Sequence, residues 1–299
     1  MGKVGFVFSG QGDQYPGMGR ELLIYPAAQR IFSLCDSIRP GTTDQCFAGD
    51  AEELKKTANT QPCLYAVELA MAAALEEKGV KADAAAGFSL GEIAAAAWAG
   101  FYTEDTGFRL VMQRASLMEA AAMQQDTAMA AVLKLSQEQV EMLCSKRPGL
   151  YPVNFNCPGQ IAVSGLREEM APFLAEVKAL GGRGIPLKVS GAFHSPFMKE
   201  AARSFGSILK DTEFKKPLIP LYSDLTAEVY GENPGELLSR QICSPVRWEM
   251  LIRNMISDGV DTFVEIGPGR TLTNLIKKID PAVTAVTGKE KLEEAYADR

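Results

Sequence analysis

Gly87-Phe88-Ser89-Leu90-Gly91-Glu92 is the stretch that decides the fold. Residues 82–86 before it close a short apolar run that reads as a strand. Residues 93–99 after it, Ile-Ala-Ala-Ala-Ala-Trp-Ala, read as a helix stopped by Gly100. A serine between two glycines at a strand-to-helix turn is a nucleophile elbow. So tight a turn admits no side chain at its flanking positions, and it lifts the serine hydroxyl above the sheet edge at the positive end of the helix. Glu92 falls in the first helical turn, where a carboxylate suits the dipole. The alanines keep that helix thin enough to lie close on the sheet.

Upstream, residues 3–8 (Lys-Val-Gly-Phe-Val-Phe) form a continuous apolar run, as in a parallel strand buried on both faces. The segment Ser9-Gly-Gln-Gly-Asp-Gln-Tyr-Pro-Gly-Met-Gly19 follows it. It has neither the G-x-G-x-x-G of a dinucleotide loop nor the G-K-[ST] of a P-loop. Two uses remain: a backbone N–H for an oxyanion beside the elbow, or a plain loop. Residues 20–80 read as mostly helical, with a break around 39–43. A helix begins near 59–62, with Thr60 as N-cap and Pro62 in its first turn. After Gly100 a helix over 104–123 carries the apolar stripe Leu110, Val111, Leu117, Met118, with Arg114 in its middle and no acid at i±3 or i±4. A guanidinium there must find its anion elsewhere, in an ion pair across the core or in the carboxylate of a substrate.

Residues 127–189 change character. Strands over 128–135, 150–156, 161–164 and 185–189, with helices from Ser136 and over 167–180, give the order β-α-β-β-α-β. This is a ferredoxin-like subdomain inserted between 1–126 and 190–299, the two parts of a larger α/β unit. In the second part His194 lies in the loop Ser190-Gly-Ala-Phe-His-Ser-Pro-Phe-Met198, before a helix over 199–209. Strands over 217–222 and 262–266, a helix over 271–279 and an edge strand over 282–286 complete the chain.

The 299 residues, 46% hydrophobic and 23% charged, describe a globular protein of one large core plus an insertion. A net charge of −6 argues against nucleic acid or membrane as a partner. No apolar run reaches the ~18 residues of a membrane span, and the N-terminus has no signal-peptide layout, so the expected location is cytoplasmic. The six cysteines show no C-x-x-C, and a single histidine leaves few ligands for zinc; no metal site is expected. Any imidazole chemistry must use His194, which could otherwise be an ordinary exposed loop residue.

Together these stretches resemble the malonyl-CoA:acyl carrier protein transacylases of fatty-acid synthesis, the family that includes polyketide-synthase acyltransferase domains. The anchors are Phe8-Ser-Gly-Gln-Gly-Asp-Gln14, the elbow, Gln113-Arg114, Val153-Asn-Phe-Asn-Cys-Pro-Gly-Gln160, Gly191-Ala-Phe-His194, Ser244-Pro-Val-Arg-Trp248 and Glu265-Ile-Gly-Pro-Gly269. The resemblance implies an α/β-hydrolase-like core with a parallel sheet and the inserted subdomain. It implies Ser89 as nucleophile, His194 as base, the backbone N–H groups of Gln11 and Leu90 as oxyanion hole, and Arg114 as partner of the malonyl carboxylate. It also implies that the main-chain carbonyl of Gln241, in place of an aspartate, orients His194. The chemistry it implies is ping-pong transfer from malonyl-CoA through a malonyl-serine to the phosphopantetheine thiol of acyl carrier protein, without metal or cofactor. A monomer is expected. Phe88 stands where most malonyl members carry His, and Asp224 where Asn is common. Phe193 beside His194 matches members that use the unbranched substrate.

Two rival hydrolases share parts of the pattern. A serine esterase would place its histidine late, after an acid, and would carry an HGGG loop. A patatin-like lipase would use a Ser–Asp dyad, for which Asp258-Gly259 offers a D-G pair, and would leave His194 dispensable. A non-catalytic carrier-binding subunit would not need Ser89, His194 and Arg114 together. Within the family, a stand-alone polyketide acyltransferase is the alternative to fatty-acid synthesis. For docking an acidic carrier protein, Lys188, Lys199 and Arg203 flank the His194 loop.

Overall fold

The computed structural model describes residues 2–189 and 191–297. Ser190, which opens the His194 loop in the sequence, and residues 1 and 298–299 of the outer segments lie outside the described residues. Among the described residues no helix is long and apolar enough to cross a membrane.

Among the described residues nine strands form two sheets: β1 Lys3–Phe8, β2 Ala84–Gly87, β3 Thr127–Leu133, β4 Leu150–Cys157, β5 Gln160–Leu166, β6 Arg183–Pro186, β7 Leu221–Tyr222, β8 Val260–Ile266 and β9 Thr284–Thr287. The first sheet is parallel, in the order β7-β2-β1-β8-β9. Alternation along its central strands feeds two cores. Phe6, Phe8 and Ala85 face one side, where Trp98 stacks at 5.0 Å from Phe6, and Val7, Ala84 and Ala86 face the other, with Trp248 and Phe263. The helix Thr57–Glu77 is apolar almost all round because other helices enclose it: Pro26–Ile38, Gly91–Trp98 and Glu104–Ala122.

The second sheet is antiparallel, ordered β4-β5-β3-β6, and comes from the segment that reads β-α-β-β-α-β. Its helices Gln137–Ser145 and Arg167–Ala179 cover one face with Val140, Phe173 and Val177. Met129, Asn154 and Ala162 belong to the cleft wall on the side of the large sheet.

Several local expectations shift. The helix expected near 59–62 starts at Thr57 with Lys56 as N-cap, and Pro62 is interior. Thr60 is no cap: its hydroxyl donates to the carbonyls of Leu54 (2.5 Å) and Lys56 (3.0 Å). The strand expected over 217–222 is only Leu221–Tyr222, since Pro217 and Pro220 have no N–H and Leu218 N–H donates instead to Ala99 O. The strand expected over 185–189 is displaced to 183–186. Pro186 ends it, and Leu187 and Val189 line the cleft. Three helices have no counterpart among the sequence expectations: Pro234–Gln241, Trp248–Ser257 and Gly288–Ala297. The first carries a signal in Pro234 at its start, the second in the apolar spacing of Trp248, Leu251, Ile252 and Met255.

Phe8, Gly87 and Ile266 end neighbouring strands in register, so the loops after β1, β2 and β8 meet at one edge of the sheet. That edge, beneath the small sheet, holds the site.

Candidate active site

Packing, and not backbone conformation, selects the glycines of the elbow. A Cβ on Gly87 would lie 2.1 Å from Glu92 N, and one on Gly91 would lie 2.2 Å from Ser9 O. Between them Ser89 is forced to φ 55°, a left-handed conformation costly for a side-chain-bearing residue. Its N–H donates to Asp224 Oδ2 at 2.7 Å, which secures the turn.

His194 has φ 60° and is also buried. Its Nε2 lies 2.7 Å from Ser89 Oγ, and its Nδ1 lies 3.0 Å from the main-chain oxygen of Gln241. A carbonyl can only accept, so Nδ1 carries the proton and Nε2 is free to take one from the serine. Gln241 ends the helix Pro234–Gln241, where the last carbonyls have no intrahelical donor, so its oxygen is available for the imidazole.

Arg114 is fully buried on the helix Glu104–Ala122. Its Nη1 donates to Gln61 Oε1 (2.9 Å), and Nη2 donates to Gln241 Oε1 (2.7 Å) and Ser89 Oγ (3.1 Å). Its Nε has no partner among the described residues. Among the described residues no carboxylate pairs with it, so a direct ion pair across the core does not form. Burial lowers its pKa to about 10 against the pull of Asp224 and Glu92, and it stays cationic at neutral pH.

Gln11, Leu90, Phe88 and Phe193 line the same cleft of about 260 Å³ as Ser89 and His194. Neither the Gln11 nor the Leu90 backbone N–H has an acceptor among the described residues. Phe88 packs edge-on against Trp248 at 5.3 Å. Glu92 does more than suit the helix dipole. Fully buried, it accepts from Asp224 N–H (3.1 Å), from Tyr230 O–H (2.7 Å) and from the Gln241 amide. Asp224 is buried beside it, and desolvation and that second carboxylate push its pKa well up. Gln61, Tyr230 and the side chain of Gln241 had no sequence signal, because each acts on a residue far away in the chain.

Asp258 is remote from all this. It precedes β8 at the opposite end of the sheet from Ser89, accepts from Tyr222 O–H, and has Lys3 on its main-chain carbonyl. A Ser89–Asp258 dyad is therefore impossible in this fold. Lys188, Lys199 and Arg203 are all exposed, but Arg203 is paired with Glu200 at 2.6 Å.

Burial and the Arg114 charge lower the His194 pKa from 6.5 to about 4. Only the neutral ring accepts the serine proton. The second-order rate constant for acylation should therefore stay flat as pH falls to about 5 and drop tenfold per unit only below about 4. A rapid-mixing pH profile checks this, and an acid limb near 6.5 would contradict the arrangement. The same depression makes the unfolded chain bind a proton first, so His194 costs stability as pH falls from 6.5 towards 4.

Comparison with known proteins adds kinship. Residues 5–289 match the family described as acyl transferase domain. The chain is 38% identical over 307 residues to the malonyl CoA-acyl carrier protein transacylase of Bacillus subtilis (strain 168), covering 99% of this chain and 96% of that protein. It superposes with a TM-score of 0.94 on a crystal structure of malonyl CoA-acyl carrier protein transacylase from Clostridium perfringens, at 34% identity, covering 99% and 96% of the two chains. It matches equally, with a TM-score of 0.94 at 32% identity over 99% and 100% of the chains, a malonyl-transacylase solved in complex with its type II polyketide acyl-carrier protein.

Proposed function

This chain belongs to the acyl transferase family, and from that premise we propose that it moves malonyl groups from malonyl-CoA to the phosphopantetheine thiol of acyl carrier protein, in fatty-acid synthesis in the cytoplasm. The observation that carries this reading is Arg114: a buried, cationic guanidinium 3.1 Å from the Ser89 hydroxyl, with no carboxylate of the described residues on it. An acyl group that ends in a carboxylate supplies the missing anion.

In the first half-reaction Ser89 Oγ attacks the thioester carbon and its proton passes to His194 Nε2. The resulting oxyanion is held by the N–H groups of Leu90 and Gln11. Collapse breaks the C–S bond, and the imidazolium returns its proton to the departing CoA thiolate. The carrier thiol then enters, gives its proton to His194 and attacks the malonyl ester, and the imidazolium reprotonates Ser89 as it leaves. The chain's own groups supply every proton transfer, so this route requires no metal or cofactor. The polyketide setting of one structural relative would use the same chemistry with another carrier.

Intact mass after mixing with malonyl-CoA tests the reading. The wild-type chain should gain one malonyl group and Ser89→Ala none; an unmodified wild-type protein would overturn it.

A further inference from the structure

Gln241 holds the site at three points. Its main-chain oxygen accepts from His194 Nδ1, its side-chain Oε1 accepts from Arg114 Nη2, and its Nε2 donates to the main-chain oxygen of Ser89 at 2.8 Å. The same Nε2 donates to Glu92 Oε2, with Asp224 Oδ2 at 3.4 Å. These neighbours dictate which way the amide faces. Three oxygens stand on one side and guanidinium donors on the other, so a flipped amide would oppose donor to donor and acceptor to acceptor.

Behind it, Asp224 N–H and Tyr230 O–H hold Glu92 in place. The order through the core is thus carboxylate, amide, guanidinium.

We propose that the Gln241 side chain determines acyl specificity, as an amide spacer that lets Glu92 balance the charge of Arg114 without occupying it. The inference rests on the malonyl-transfer reading above. A buried guanidinium needs nearby negative charge, yet a carboxylate in direct contact would take the bidentate edge that the malonyl group requires. The amide resolves that conflict. It polarises towards Arg114, it carries no charge of its own, and it makes no claim on Nε, which is buried without a partner among the described residues. Gln241 is a positioning residue here, acting on the substrate through Arg114.

Gln241→Glu and Gln241→Met separate this role from the one its main chain plays, because both keep the carbonyl that orients His194. Acylation kcat/KM is measured on the full chain with malonyl-CoA and acetyl-CoA, together with thermal melting. Gln241→Glu puts a carboxylate directly on Arg114 and also removes the amide donors to Ser89 and Glu92, so both substrates slow, but the malonyl-over-acetyl preference should fall about 10- to 100-fold. Gln241→Met removes the acceptor and should lower the preference by about tenfold. Should the glutamate variant not fold, the methionine variant decides. A folded variant that keeps the wild-type preference, or loses both substrates equally, overturns the proposal. A wild-type protein that takes no malonyl group fails earlier and separately, at the function itself.

Discussion

Replacing His194 by alanine should slow malonyl transfer by ~10²–10⁴-fold or more, with the fold retained. The hydroxyl of Ser89 is 2.7 Å from His194 Nε2, and among the described residues no other neutral base stands within hydrogen-bond distance of it. Without the imidazole the serine stays in its elbow, secured by Asp224 on its N–H, but its proton has nowhere to go. Nucleophile and base act as a unit, so the loss should approach that of Ser89→Ala. The main-chain N–H of residue 194 still reaches Ile242 O, so the loop keeps its backbone anchor and the variant should fold. Single-turnover acylation of the folded variant checks this. Near-normal transfer would mean that the proton leaves by another route.

The second large effect concerns substrate choice. Arg114→Ala should lower kcat/KM for malonyl-CoA by roughly 10²-fold or more, since removing one partner of a buried charge pair costs ~2–5 kcal/mol and each 1.4 kcal/mol is tenfold. Acetyl-CoA has no carboxylate to offer, and the wild-type site must leave the guanidinium unpaired to accept it. The variant should handle acetyl-CoA as well as wild type or better. Melting alone does not decide the matter, because the variant also strands the acceptors on Gln61 and Gln241. The contrast between the two acyl-CoAs does, and parallel losses would make Arg114 a residue of the core only.

Local signals were legible where sterics or periodicity act over a few residues. Gly87 and Gly91 announce the elbow because a side chain at either would collide with backbone. The β-α-β-β-α-β order of 127–189 was legible too, apart from the place of its last strand, which lies at 183–186. The helix near Thr60 was misplaced because a threonine hydroxyl can cap a helix or bond back to an earlier carbonyl, and only the folded chain shows which.

By itself the sequence determined the strand–turn–helix around Ser89, the solitary imidazole at His194, and the conflict of an arginine in an apolar stripe. These are properties of neighbours in the chain. The tertiary structure alone decided how that conflict is settled: Gln61, 53 positions away, and Gln241, 127 positions away, take the guanidinium, and Glu92 stands behind the amide. It also decided that the imidazole is held neutral, by burial and by a charge that reaches it from another helix. Periodicity says which face of a helix turns inward, but it carries no information about which residue waits there. Polar groups removed from water must nevertheless be satisfied one by one, by whatever the fold brings within about 3 Å.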